Sequence, residues 1–239
     1  MGILDTIFGG ERTFRKHAER VANKRSQTLD RQASIEFLGA EKSAAAVSAL
    51  LLRFGYSAEP TITDQEEKQR VFDLVCSMGE VVYEPVRTYL HRAESLSWPL
   101  KILHEILEPD DFCSEILDLI ATFDTEYERD PQRKIQAIAA LEEVSDPRIA
   151  QAVVRFVADA NETVRFHAVC VCLASKDEET TRDRLLEQVV KEESQRIRLR
   201  VAEGFADLGW GVQGYRGSVE KVLPEGFVIQ SSGQIKKRG

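Results

Sequence analysis

Large apolar residues return along this chain every 33 positions, with polar residues filling the intervals. Tyr83, Ile116 and Ile149 form one row, Ile120, Val153 and Leu186 a second, and Leu90, Phe123, Phe156 and Val189 a third. Members of neighbouring rows, such as Ile116, Ile120 and Phe123, lie three or four residues apart, the spacing of one helical face. A second helix follows in each period. Its face is carried by Trp98, Val164 and Ile197, by Ile102, Ala137, Ala168 and Val201, by Leu103, Ile138, Val169 and Ala202, and by Ile106, Leu141, Cys172 and Phe205. The steps in that register are 35, 31 and 33, because the stretch around Asp124 to Asp130 carries two extra residues. Two short helices cannot bury their apolar faces alone, so such pairs stack on their neighbours and present a broad surface. The pattern predicts an all-α fold built from stacked helix pairs.

The predicted pairs cover residues 80–92 with 97–107, 110–124 with 131–143, 146–158 with 161–174, and 178–191 with 194–208. Upstream, 43–54 repeats the Ile116, Ile120, Phe123 spacing as Val47, Leu51 and Phe54, and Val71, Phe72, Val75 and Cys76 supply its second helix. The loop expected between them, 55–64, contains Pro60. Residues 31–38 read as the second helix of a first, irregular pair. Ahead of it, residues 1–8 form one amphipathic turn ending at Gly9 and Gly10, followed by a charged helix over 11–27. Ser97, Asp130 and Asp146 each stand before or near a proline that opens a helix. Gly209 ends the array. Beyond it, 218–222 predicts a short helix and 227–236 a small hairpin or a tail laid over the last repeat. The chain thus divides into an N-terminal segment, residues 1–28, a repeat array, residues 29–209, and a C-terminal cap or tail, residues 210–239.

Composition narrows the class. Apolar residues make up 43% and charged residues 30% of the 239, with seven prolines, which favours a folded helical chain over disorder. The four cysteines, Cys76, Cys113, Cys170 and Cys172, show no Cys-x-x-Cys pair and no disulfide-framework spacing, and read as reduced core residues. No apolar run approaches the roughly 20 residues that span a bilayer, and the first residues lack the basic and apolar regions of a secretory signal. A cytoplasmic location is expected. The net charge of -8 is uneven: residues 1–31 hold seven Lys or Arg against four acids, leaving the rest of the chain at -11. An acidic body opposes phosphate attraction, so no nucleic-acid partner is expected.

The segment from Ser145 to Val169 resembles a HEAT repeat, with Pro147 near its first helix, Asp159 in the turn and Val164-Arg165-Phe166-His167-Ala168 in its second helix. Ile197-Arg198-Leu199-Arg200-Val201-Ala202 offers the next copy of the second-helix motif. Similarity is good in these two repeats, fair over 83–143 and weak before Gln65. It implies a right-handed, armadillo-type α-solenoid of about five to six helix pairs and a scaffold or adaptor role without particular chemistry. It also implies a polar ladder between units, carried over to Asp159 with Arg165, to Arg198 and, more loosely, to Lys134. Pro99 interrupts that ladder in the earlier repeat.

Candidate site residues follow. Lys134, Arg165, Arg198 and Arg200 line the wall of second helices, where they either meet an acidic partner or join the ladder. Trp98 falls on a core position shared with Val164. At the N-terminus, Ile3, Leu4 and Phe8 with Arg12, Arg15 and Lys16 form an apolar and basic element suited to a docking surface or to peripheral contact with anionic lipid. Met1-Gly2 with Thr6 matches the N-myristoylation pattern. His104-Glu105 lacks the second His of a zinc-protease motif, so no metal or other cofactor is assigned. No nucleophile elbow or phosphate loop occurs. The reading is a non-enzymatic scaffold for a protein or peptide partner. The competing readings are a HEAT-like enzyme of the bilin-lyase or DNA-glycosylase type and a peripheral membrane adaptor that uses the N-terminal segment.

Overall fold

A computed structural model describes residues 3–238, with side chains from residue 10 onward. Among the described residues the fold is mostly helical, with thirteen α-helices and one two-stranded hairpin. The chain divides into two compact units, Met1–Glu108 and Pro109–Gly239.

The first unit holds α1 (Ile3–Ala22), α2 (Thr28–Glu41), α3 (Ala44–Leu51), α4 (Thr61–Cys76), α5 (Tyr83–Leu90) and α6 (Ser97–Ile106). Odd-numbered helices contact one another in series, α1 on α3 on α5, and even-numbered helices do the same, α2 on α4 on α6. α1 therefore packs as the first helix of an opening pair, and its C-terminal part is docked on this unit. Val21 is fully buried, the Tyr56 hydroxyl donates to the Val21 carbonyl at 2.6 Å, and His17 stacks on Phe37 with centroids 4.0 Å apart.

Three local differences from the sequence pattern have physical causes. α1 runs unbroken through Gly9 and Gly10. A glycine inside a helix costs only about 1 kcal/mol relative to alanine, less than giving up a continuous hydrogen-bonded helix whose far end is packed. α3 tightens into a 3-10 turn over Leu52–Gly55. α4 starts at Thr61, inside the stretch expected as loop. Its inward face is polar for the first turns: Asp64, Glu67 and Lys68 continue the line of Val71, Phe72 and Val75, and all six are buried.

The second unit holds α7 (Pro109–Ala121), α8 (Gln132–Ala139), α9 (Arg148–Val153), α10 (Glu162–Ser175), α11 (Glu178–Lys191), α12 (Gln195–Leu208), α13 (Arg216–Val222) and the strands β1 (Phe227–Ile229) and β2 (Ile235–Lys237). Here too α7, α9 and α11 contact in series, and so do α8, α10 and α12. Phe156, Val164, Val169, Ile197 and Phe205 are fully buried and Val201 nearly so, as the 33-residue register predicts. Side chains cap the helices at signals visible in the sequence: Asn161 Oδ1 accepts from the Thr163 and Val164 amides, Asp177 from Thr180, Asp146 from Arg148 and Asp130 from Gln132. α12 ends at Gly209 with φ 72°, the left-handed cap that favours glycine. Gly204 lets α12 approach α10 closely, since a Cβ there would stand 2.4 Å from Leu173 Cδ1. The C-terminal residues form an antiparallel hairpin with Ile229 opposite Ile235, and β2 packs on α12. Among the described residues no helix is long and apolar enough to cross a membrane.

Candidate functional site

In the second unit the cations of the second helices meet acids supplied by the turns that follow. Lys134 on α8 is 1% exposed, and its Nζ lies 3.0 Å from Asp159 Oδ2, with Glu128 at 3.5 Å and the Glu126 carbonyl at 3.4 Å. Arg165, in the corresponding place on α10, is bidentate to Glu192 at 2.8 and 2.9 Å. Asp159 offers Arg165 only its backbone carbonyl, at 3.0 Å, because the carboxylate is taken by Lys134 and by the Asn161 amide. Burial alone would push the Glu192 carboxyl up. Hydrogen bonds from Arg165, the Ser194 amide and Gln188 outweigh that and hold it at about 2.

Arg198 is the third cation of this series and stands outside the ladder. It is partly exposed, its Nε is buried without a hydrogen-bond partner, and it makes no ion pair among the described residues. Arg200 is also partly exposed and lies beside Cys170, whose thiol is pushed up by burial while the guanidinium opposes that rise. Exposed Leu199 stands between them around the helix. The four basic candidates thus separate into two classes: Lys134 and Arg165 are committed to internal pairs, whereas Arg198 and Arg200 retain donors for a partner.

At the N-terminus Arg12, Arg15 and Lys16 are exposed on α1, with Arg15 paired to Glu19 at 2.9 Å. The side chains of Ile3, Leu4 and Phe8, together with Met1 and Gly2, lie outside the described residues. The cysteines are unpaired, and burial pushes the thiols of Cys76 and Cys113 up to about 11 and that of Cys172 to about 12, which keeps these three protonated.

A second polar constellation lies in the first unit. Arg31 from α2 is bidentate to Glu67 at 2.6 and 3.0 Å. Arg53, fully buried in the 3-10 turn after α3, bridges Glu67 at 2.9 Å and Asp64 at 2.6 Å. Lys68 pairs with the other oxygen of Asp64 at 2.8 Å. Burial would raise the Asp64 carboxyl, but Lys68, Arg53 and the Ala58 amide keep it below its ordinary value. Beside this cluster opens a groove of about 510 Å³, walled by Phe54, Trp98, Tyr89 and Lys68. Trp98 is accordingly half-buried, stacked on Phe54 at 4.9 Å with the rings 12° apart. The signal for this cluster was present in the sequence as charged residues at positions 64, 67 and 68, in helical phase with the apolar face of α4.

Compared with models of protein families, with curated proteins and with solved structures, the chain matches none.

Proposed function

We propose that the chain is a HEAT-like, right-handed α-solenoid that acts as a non-enzymatic scaffold for an acidic protein or peptide. Support for the repeat reading comes from the alternating series of first and second helices in each unit and from the ladder of Lys134 with Asp159 and Arg165 with Glu192. The observation that carries the binding reading is Arg198. The two earlier cations of its series are neutralised internally, and it is not. A partly buried guanidinium with no ion pair and an unsatisfied Nε gains from a carboxylate brought to its terminal nitrogens. Exposed Leu199, about 100° round the helix, supplies an apolar contact, and Arg200, about 200° round, adds to the positive field, a combination suited to an acidic amphipathic segment.

The test is parallel affinity capture with the wild-type chain and an Arg198→Glu, Arg200→Glu variant of equal thermal stability. A stoichiometric acidic partner retained by the first and lost by the second supports the reading. Identical captured sets, or a chain that binds nothing and instead converts a small molecule, contradict it.

A further inference from the structure

The buried cluster of the first unit contains three cations and two carboxylates, so one positive charge has no internal counter-ion. Asp64 accepts from Arg53, Lys68 and the Ala58 amide, and Glu67 accepts three bonds from Arg31 and Arg53. Each carboxylate therefore accepts three bonds from within the cluster and its neighbouring backbone. The two guanidiniums are also well used, with Arg31 donating further to the Ser26 carbonyl and Arg53 to the Tyr56 carbonyl. Lys68 is the exception. An ammonium has three donors, and among the described residues this one meets only Asp64. Its side chain is 8% exposed, and the side it shows is the wall of the groove. A buried cation with spare donors attracts an anion strongly, because little water is left to satisfy it.

The groove adds shape to that charge. Phe54 and Trp98 form an aromatic wall, and Tyr89 brings a phenol whose proton burial retains. At the rim Arg92 and Glu94 oppose each other, so they leave the surplus charge of the cluster unchanged. The volume, about 510 Å³, is within the range of small-molecule sites.

We propose that this groove binds an organic carboxylate with a planar apolar body, the carboxylate pairing with Lys68 and the ring lying along Phe54 and Trp98. The ligand is either a free aromatic acid or the C-terminal carboxylate of a peptide ending in an aromatic residue. The site does not depend on the scaffold reading, which concerns the other unit.

The experiment follows Trp98 fluorescence in the full chain carrying Trp210→Phe, because these are the only two tryptophans. The probes are phenylacetate and its neutral counterpart phenylacetamide, and acetyl-Gly-Phe with a free or an amidated C-terminus. Each acid should bind at least about tenfold more tightly than its amide, a charge-assisted preference that Lys68→Met removes. Preference confined to the free acid identifies a small-molecule site, and preference confined to the peptide identifies a chain-end site. Ser57→Glu, an exposed substitution in the groove wall, should weaken binding of the acids without altering the fold. Acid and amide binding equally, or neither binding to the wild-type chain, would overturn the assignment whatever the variants do.

Discussion

Lys134 Nζ sits 3.0 Å from Asp159 Oδ2 with both residues almost wholly buried, 1% and 2% exposed, across 25 residues of sequence. The pair ties α8 to the turn that precedes α10. Removing one partner strands the other charge in the interior, so Lys134→Met should destabilise the second unit by about 3–5 kcal/mol. Adding Asp159→Asn to Lys134→Met should recover part of that loss. Urea denaturation of the two single variants and the double variant checks this through the coupling term.

Acid should act on the next rung. The Glu192 carboxyl is 1% exposed and held at about 2, below its ordinary value of 4.5. Its stabilising effect is therefore complete above pH 4.5 and is lost as pH falls towards 2, with an upper bound of about 3 kcal/mol. Glu192→Gln should lower stability at neutral pH and flatten the difference from wild type over that acid window. Melting temperatures of both proteins between pH 7 and pH 2.5 supply the measurement.

Phe156 is fully buried in the 3-10 turn Val154–Ala158 that follows α9, where that turn packs on α10 and α11. Phe156→Ala should cost about 3–5 kcal/mol, since a large ring in a packed interior leaves a cavity. A loss below about 1 kcal/mol would place the side chain on the wrong face.

Truncation separates the two halves of α1. Removing residues 1–15 deletes the exposed Arg12 and Arg15 and should leave the first unit folded. Removing 1–27 also deletes buried Val21 and the carbonyl that accepts from Tyr56, and should cost on the order of 3 kcal/mol. Calorimetry of both truncated chains tests the order. The sequence alone set this segment apart on charge, because the packing of His17 and Val21 depends on Ser34 and Phe37 in α2 and on Tyr56, partners that no local pattern reveals.

Much of the fold was legible because its determinant is periodic. Phe156, Val169 and Val201 were placed inside by the 33-residue register, and Gly209 marked the end of α12 through its backbone freedom. The ladder was legible in its residue types but not in its pairing: Arg165 reaches Glu192 and not the Asp159 carboxylate, which Lys134 and the Asn161 amide already hold. The cluster of Arg31, Arg53, Asp64, Glu67 and Lys68 was missed for a different reason. Hydrophobic periodicity does not register a face whose inward positions are charged, and the pairs that make those charges tolerable lie up to 36 residues apart.

The most direct measurement is a calorimetric titration of the captured acidic partner against the wild-type chain and the Arg198→Glu, Arg200→Glu variant at two salt concentrations. The predicted result is a saturable complex that weakens with salt and loses at least about tenfold in affinity in the variant. Equal affinity for both chains at both salt concentrations would contradict the assignment of this surface as the partner site.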